Sequence, residues 1–177
     1  MNLKKLIRDV PDFPKTGIIF KDIMPLLINP KGFKSAINQM AKSATIPPST
    51  DKSKNIDKIV SMEARGFIFG AALALKLGVG FVPIRKKGKL PYKIIREEYQ
   101  LEYGTDVLEI HEDAIAKGEN ILIVDDVLAT GGTAKAVCSL IEKLGGKVAG
   151  LCFLIELSFL NPQEKLKGYK ISSLIKY

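Results

Sequence analysis

The sequence predicts an α/β fold, a central and mostly parallel sheet flanked by helices, and three observations predict it. Ile121-Leu-Ile-Val124 is apolar on both faces of an extended strand, as in a parallel sheet covered on each side. Ile56 to Met62, Phe67 to Leu77 and Val79 to Ile84 read strand, helix, strand with short connections, which argues a parallel βαβ unit. The same strand, turn, helix order recurs between 121 and 144, followed by a further apolar strand, Val148 to Leu157.

Composition bounds the rest. At 177 residues, 46% hydrophobic and 26% charged, the chain reads as one globular domain, 1–177, long enough for a full core. A formal net charge of +8 favours anionic partners, phosphorylated metabolites or nucleic acid, without choosing between them. No apolar run approaches the ~20 residues that span a bilayer. Met1 to Val10 carries Lys4, Lys5, Arg8 and Asp9 and is no secretory signal, so the expected compartment is the cytoplasm. Cys138 and Cys152 match no metal spacing and are expected in the core.

Taken in order, Asn2 to Val10 predicts a short helix with Leu3, Leu6 and Ile7 on one face. Phe13 to Asp22, bracketed by Pro, Gly and charge, suits an edge strand or a lid over a pocket. Asn29 then caps a helix carrying Pro30 in its first turn, with Phe33, Ile37, Met40 and Ala41 at helical spacing. Ile46 to Asn55, rich in Pro, Ser, Thr and Lys, predicts a solvent loop. Arg85 to Gly104 has no core pattern over about twenty residues, a length at which connections tend to be functional lids. Its opening cations, Arg85, Lys86, Lys87 and Lys89, suit a phosphate clamp. Thr105 to Ile110 alternates like a strand that pairs antiparallel with part of this arm. His111, the sole histidine, reads as a surface residue. Ile171 to Ile175 predicts a last edge strand.

The chemistry concentrates at 121–133. After the buried strand come Asp125 and Asp126, then the turn Thr130-Gly-Gly-Thr133, then a helix with Val137, Leu140, Ile141 and Leu144 at helical spacing, stopped by Gly145-Gly146. Thr133 is the expected N-cap. Free backbone N–H groups and the helix dipole converge at such a turn and suit an anion. Two carboxylates beside it would repel a phosphate but suit a pair of vicinal hydroxyls, and phosphate plus diol describes a ribose 5-phosphate. By the same topology Arg65 stands at the end of a neighbouring strand, and Arg85, Lys86 and Lys89 after a third. These cations suit a second polyanion, a pyrophosphate. No Walker pattern, Ser-His-Asp set or zinc spacing is present.

This segment closely resembles the signature of type I phosphoribosyltransferases. Four more segments, Phe13 to Asp22, Glu63-Ala-Arg-Gly-Phe67, Pro83 to Pro91 and Leu101-Glu-Tyr-Gly104, resemble the adenine-specific members of that family, in the family's order. The resemblance implies a type I phosphoribosyltransferase fold with a small N-terminal hood, 1–30, and a flexible lid, 85–104. It implies purine salvage: adenine and 5-phospho-α-D-ribose 1-diphosphate (PRPP) become AMP and diphosphate in a homodimer, with Mg2+ carried by PRPP and not by side chains. Ala129, Thr130, Gly131, Gly132 and Thr133 would hold the 5-phosphate, and Asp125 and Asp126 the ribose hydroxyls. Arg65 and Lys89 would face pyrophosphate, and Arg85 and Lys86 the partner subunit's site. Ile19, Phe20, Lys21 and Val127 would bind adenine; Glu102 would handle the proton at purine N7, and Tyr103 would help close the lid. Lys21 stands where the family usually has Arg, exchanging a flat fork for a point charge. Val127 stands where Leu is common. The alternatives are transfer to another nucleobase, or a PRPP-sensing regulator that binds nucleic acid, against which the presence of Glu102 weighs.

Overall fold

The structure, a computed structural model, describes residues 1–44, 55–100 and 104–177. The backbone forms two compact units, Met1–Gln39 and Met40–Tyr177. The solvent loop expected at Ile46 to Asn55 lies almost wholly outside the described residues.

In the first unit, the helix expected over residues 2–10 is only a 3-10 turn, Leu3–Leu6. Arg8–Pro11 is instead strand β1, antiparallel to β2 (Ile19–Asp22). Opposite charges explain the exchange, since cross-strand pairs favour the ladder. Arg8 faces Asp22, with Nη2 to Oδ2 at 2.6 Å, and Asp9 faces Lys21, with Oδ1 to Nζ at 2.7 Å. Phe13 to Asp22 therefore contributes a strand, but to a two-stranded sheet of its own. A single helical turn, α1 (Met24–Leu27), follows, and its first N–H donates to Asp22 Oδ1 at 2.9 Å. Helix α2 (Pro30–Ala44) begins as expected, with Gly32 N–H donating to Asn29 Oδ1 at 2.9 Å.

The second unit is built on seven strands in the order β5-β6-β4-β3-β7-β8-β9. They are β3 (Lys58–Met62), β4 (Gly80–Lys86), β5 (Ile94–Gln100), β6 (Thr105–His111), β7 (Asn120–Leu128), β8 (Lys147–Glu156) and β9 (Ile171–Lys176). Strands β4, β3, β7, β8 and β9 are mutually parallel, while β5 and β6 form an antiparallel hairpin joined to β4. Ile121, Leu122, Ile123 and Val124 are all buried, as two covered faces require. Helix α3 (Arg65–Leu77) joins β3 to β4, and α4 (Gly132–Lys143) joins β7 to β8. The two crossovers leave β3 and β7 in opposite directions, so right-handed connections put their helices on opposite faces. Ligands in open parallel sheets bind at such a switch point, outside the carboxyl ends of the strands.

The antiparallel pairing expected of Thr105 to Ile110 with part of the 85–104 arm is present, and it makes part of the expected lid a strand. Residues 94–100 are regular strand, paired along their whole length with β6 from Ile94↔His111 to Gln100↔Thr105. Its bounds are hard to read in the sequence because β5 alternates exposed Arg96, Glu98 and Gln100 with half-buried Glu97 and Tyr99 in place of an aliphatic run. His111 is half-buried and not a surface residue: its ring packs edge-on against Tyr92, centroids 5.9 Å apart. Cys138 and Cys152 are buried thiols as expected, and burial pushes Cys138 up to about 12. Among the described residues no helix is long and apolar enough to cross a membrane.

Candidate active site

At the switch point, Asp125 and Asp126 follow the buried run Ile121 to Val124 of β7, beside the first turn of α3. Arg65, the first residue of α3, sets Nε 2.7 Å from Asp126 Oδ2. Asp126 N–H donates to Asp125 Oδ1 at 2.9 Å. The same Oδ1 rests on Gly66, where a Cβ would stand only 2.5 Å away. Burial, and then the neighbouring Asp126 charge, push Asp125 well above the usual carboxylate range. Burial also raises Asp126, although Arg65 pulls it back. A pair of this kind is poised for neutral, hydrogen-bonding partners such as hydroxyls.

Beyond the acids, β7 turns into α4. The expected cap, Thr133, lies inside the helix; Gly131 is the N-cap instead, at φ +80. A side-chain cap is excluded there because the left-handed turn brings Gly131 against the Pro162 carbonyl, where a Cβ would stand 2.8 Å from the oxygen. The cap therefore supplies bare N–H groups, which suits an anion better than a hydroxyl already spent on the helix. Asp125, Val127, Ala129, Thr130, Gly131, Gly132 and Thr133 all line one recess of about 100 Å³.

The cations approach from the other side of β3. Arg85 Nε lies 2.7 Å from Glu63 Oε2, and Lys86 N–H donates to Glu63 Oε1 at 2.9 Å. Burial raises the Glu63 carboxyl, but the bonds from Arg85 and Lys86 outweigh it and hold the acid below its ordinary range. The buried Glu109 accepts from Gly88 N–H at 2.8 Å and fixes the turn that carries exposed Lys89. Lys86 Nζ stands 3.3 Å from Asp106 Oδ2. The hairpin also reaches the loop: Tyr99 Oη and Thr133 Oγ1 are 3.5 Å apart.

The sheet thus brings Arg65, Asp125, Asp126 and the 129–133 turn together, with Arg85 and Lys86 at the end of the next strand. Glu102 and Tyr103 lie outside the described residues. In the first unit, Ile19 is 55% exposed, Phe20 packs edge-on against Phe13 with centroids 5.2 Å apart, and Lys21 is paired with Asp9. Sequence reasoning gave no role to Glu63, Gly66, Tyr99 or Pro162. Glu63 and Gly66 stood within a quoted motif, and a glycine in the first turn of a helix facing an acid pair was the available signal; Tyr99 and Pro162 left none.

The model for a phosphoribosyl transferase domain matches residues 34–173. An adenine phosphoribosyltransferase of Thermotoga sp. (strain RQ2) is 59% identical over 177 residues, the whole of both chains. The chain belongs to the adenine phosphoribosyltransferase family. Solved structures of the family agree. That from Thermoanaerobacter pseudethanolicus superposes with a TM-score of 0.92 at 53% identity, covering 99% of this chain and 98% of its own. The Saccharomyces cerevisiae enzyme, solved with an imino-altritol bisphosphate and adenine, superposes with a TM-score of 0.87 at 42% identity, covering 97% and 96%. The type I phosphoribosyltransferase fold is therefore the fold of this chain.

Proposed function

We propose that the chain is the purine-salvage enzyme its family's name describes: it transfers the phosphoribosyl group of PRPP to adenine, giving AMP and diphosphate. The observation that carries the reading is the arrangement at the switch point. An acid pair lies beside an open helix N-terminus, with a guanidinium on the pair and further cations beyond it. Adenine as the acceptor rests on relatives named for it that match the full length of the chain.

In this reading the N–H groups and hydroxyls of 129–133 bind the 5-phosphate, and Asp125 and Asp126 accept from the ribose hydroxyls. Arg65 and Lys89 neutralise the pyrophosphate as the C1–O bond breaks and purine N9 bonds to C1. Stabilising charge that develops on a leaving group is commonly the largest part of catalysis. Glu102 takes the proton role at N7, Tyr103 and the 85–104 arm exclude water, and Ile19, Phe20, Lys21 and Val127 recognise the base. Mg2+ suits this donor set. The hydroxyls and diphosphate of PRPP offer the hard oxygen ligands that Mg2+ prefers. The ion would screen the leaving charge.

Two further expectations belong here. A homodimer is supported by the outer face of α3, where Ile68, Ala71 and Leu75 are exposed and Leu75 is 87% so. Leu75→Glu should yield monomers in analytical ultracentrifugation, and an unchanged sedimentation coefficient would reject this face. A cytoplasmic location suits the two buried free thiols.

The deciding experiment incubates purified protein with PRPP, Mg2+ and each purine base. Adenine should be consumed with stoichiometric AMP and diphosphate; turnover of guanine or hypoxanthine without adenine would reject the assignment. Glu102→Gln should lower turnover by about 100-fold or more while PRPP still binds; unchanged turnover would remove Glu102 from its role.

A further inference from the structure

Behind the phosphate loop lies a buried carboxylate that the reaction does not use. Glu156, the last residue of β8, is 2% exposed. Its Oε1 accepts from Ser158 Oγ at 3.3 Å and from Gln163 Nε2 at 3.2 Å, and Lys176 Nζ stands 3.2 Å from Oε2. Burial pushes the acid up, yet Ser173, Lys176 and Gln163 together hold it below the ordinary carboxylate range. Burying a charge is costly unless the fold surrounds it with partners, as here. Two short 3-10 turns, Ser158–Leu160 and Pro162–Glu164, follow it and border an open recess of about 290 Å³ lined by Glu156, Asn161, Pro162, Gln163 and Lys176. Beyond its own turn bonds and the bond from Ser158 N–H to the Tyr177 carbonyl at 2.9 Å, the segment is tied to Glu156 through the side chains of Ser158 and Gln163. Its apex, the buried Pro162, presses its carbonyl on Gly131, the N-cap of α4.

We propose that Glu156 is a positioning residue for the 5-phosphate loop: through Ser158 and Gln163 it fixes the 158–164 segment, whose Pro162 carbonyl sets the left-handed turn at Gly131. Lys176 of β9 secures the carboxylate from the other side, so the end of the sheet and the anion-binding turn form one mechanical unit. The inference rests on the reading of 129–133 as the 5-phosphate site.

The test separates the two ends of the substrate. Dissociation constants of AMP, which carries a 5-phosphate, and of inorganic pyrophosphate with Mg2+ are measured by calorimetry, alongside the KM values for PRPP and adenine. Glu156→Ala should weaken AMP and raise the PRPP KM about tenfold, while pyrophosphate affinity and the adenine KM stay within about twofold. Gln163→Leu, at an exposed position that leaves the buried acid intact, should shift AMP about fivefold and keeps the test decisive if Glu156→Ala does not fold. Glu156→Gln, whose Oε1 still accepts from Ser158 and Gln163, should recover most of the affinity. Thr130→Ala is the reference for the loop itself. If it weakens AMP while the Glu156 and Gln163 variants do not, the positioning role is wrong and the loop assignment stands. If Thr130→Ala also leaves AMP unchanged, the loop assignment falls and the inference with it. Equal weakening of AMP and pyrophosphate in the Glu156 and Gln163 variants would mean a general loss of structure and would overturn the proposal.

Discussion

Strands β3 and β7 lie side by side and parallel, and each runs across a short turn into a helix on its own face of the sheet. Both helix starts contain a glycine where a side chain would collide: Gly66 with Asp125 Oδ1 at 2.5 Å, and Gly131 with the Pro162 carbonyl at 2.8 Å. The helix starts nevertheless differ. The first turn of α3 is filled by the protein's own Asp125 carboxylate, and its leading Arg65 reaches across to Asp126. The first turn of α4 carries no side-chain cap and opens on the recess. Two copies of one topology thus serve opposite purposes. One stores an acid in a low-dielectric site; the other keeps its N–H groups for a ligand. The acids of β7 can lie beside an anion site because burial favours their neutral forms and Arg65 offsets the charge of Asp126.

Closing the open junction should have the largest effect. Gly131→Val forces a β-branched residue into a left-handed turn against backbone, a strain of about 1–2 kcal/mol before any clash. We expect PRPP KM to rise about 100-fold with the adenine KM little changed, read by steady-state kinetics; a shift below threefold would show that the turn need not keep this geometry. Gly66→Ala tests the filled junction. The buried carboxylate must move, so kcat/KM for PRPP should fall about 30-fold with a lower Tm, and a variant like the parent would mean that the acid is not seated by α3. The smallest effect on catalysis, about tenfold on PRPP affinity, is expected for Asp125→Asn, whose Oδ1 can still accept from Asp126 N–H. Here stability should move the other way. The folded pKa of Asp125 lies above its ordinary 3.8, so the folded state keeps a proton that the unfolded state has lost. The stability this proton contributes is full below about 3.8 and is lost as pH rises through the folded value. Asp125→Asn should therefore raise Tm at neutral pH and flatten the decline of Tm with pH; a lower Tm at neutral pH would contradict a destabilising buried acid.

Much of the site was legible because it is local in sequence. Ile121 to Val124 carries the mark of a strand covered on both faces, and Asp125, Asp126 and Thr130 to Thr133 follow within nine residues. Asn29 capped its helix as the pattern implied. What could not be read was of two kinds. Thr133 looked like a cap because hydroxyls usually cap helices, but the preference yields to a glycine turn that a carbonyl from 162 requires. Strand β5 looked irregular because its partner β6, and not its own apolar pattern, makes it a strand. The helix expected at the N-terminus failed for the same reason, since Arg8 and Asp9 found opposite charges on β2.

The sequence by itself determined the α/β class, the order of the parallel units, the phosphate turn and its acid pair, and through its five segments the family. Each of these is written in short-range periodicity or in residues adjacent along the chain. Only the tertiary structure decided which polar groups hold the site in place: Glu63 on Arg85, Gly66 beneath Asp125, Tyr99 against Thr133, and Glu156 behind Gly131. These contacts join residues 22 to 59 positions apart, apart from the link from Glu156 through Gln163 and Pro162. A charged or polar side chain carries no periodic signal of its partner, and which one it meets is set by where the sheet brings their strands to an end.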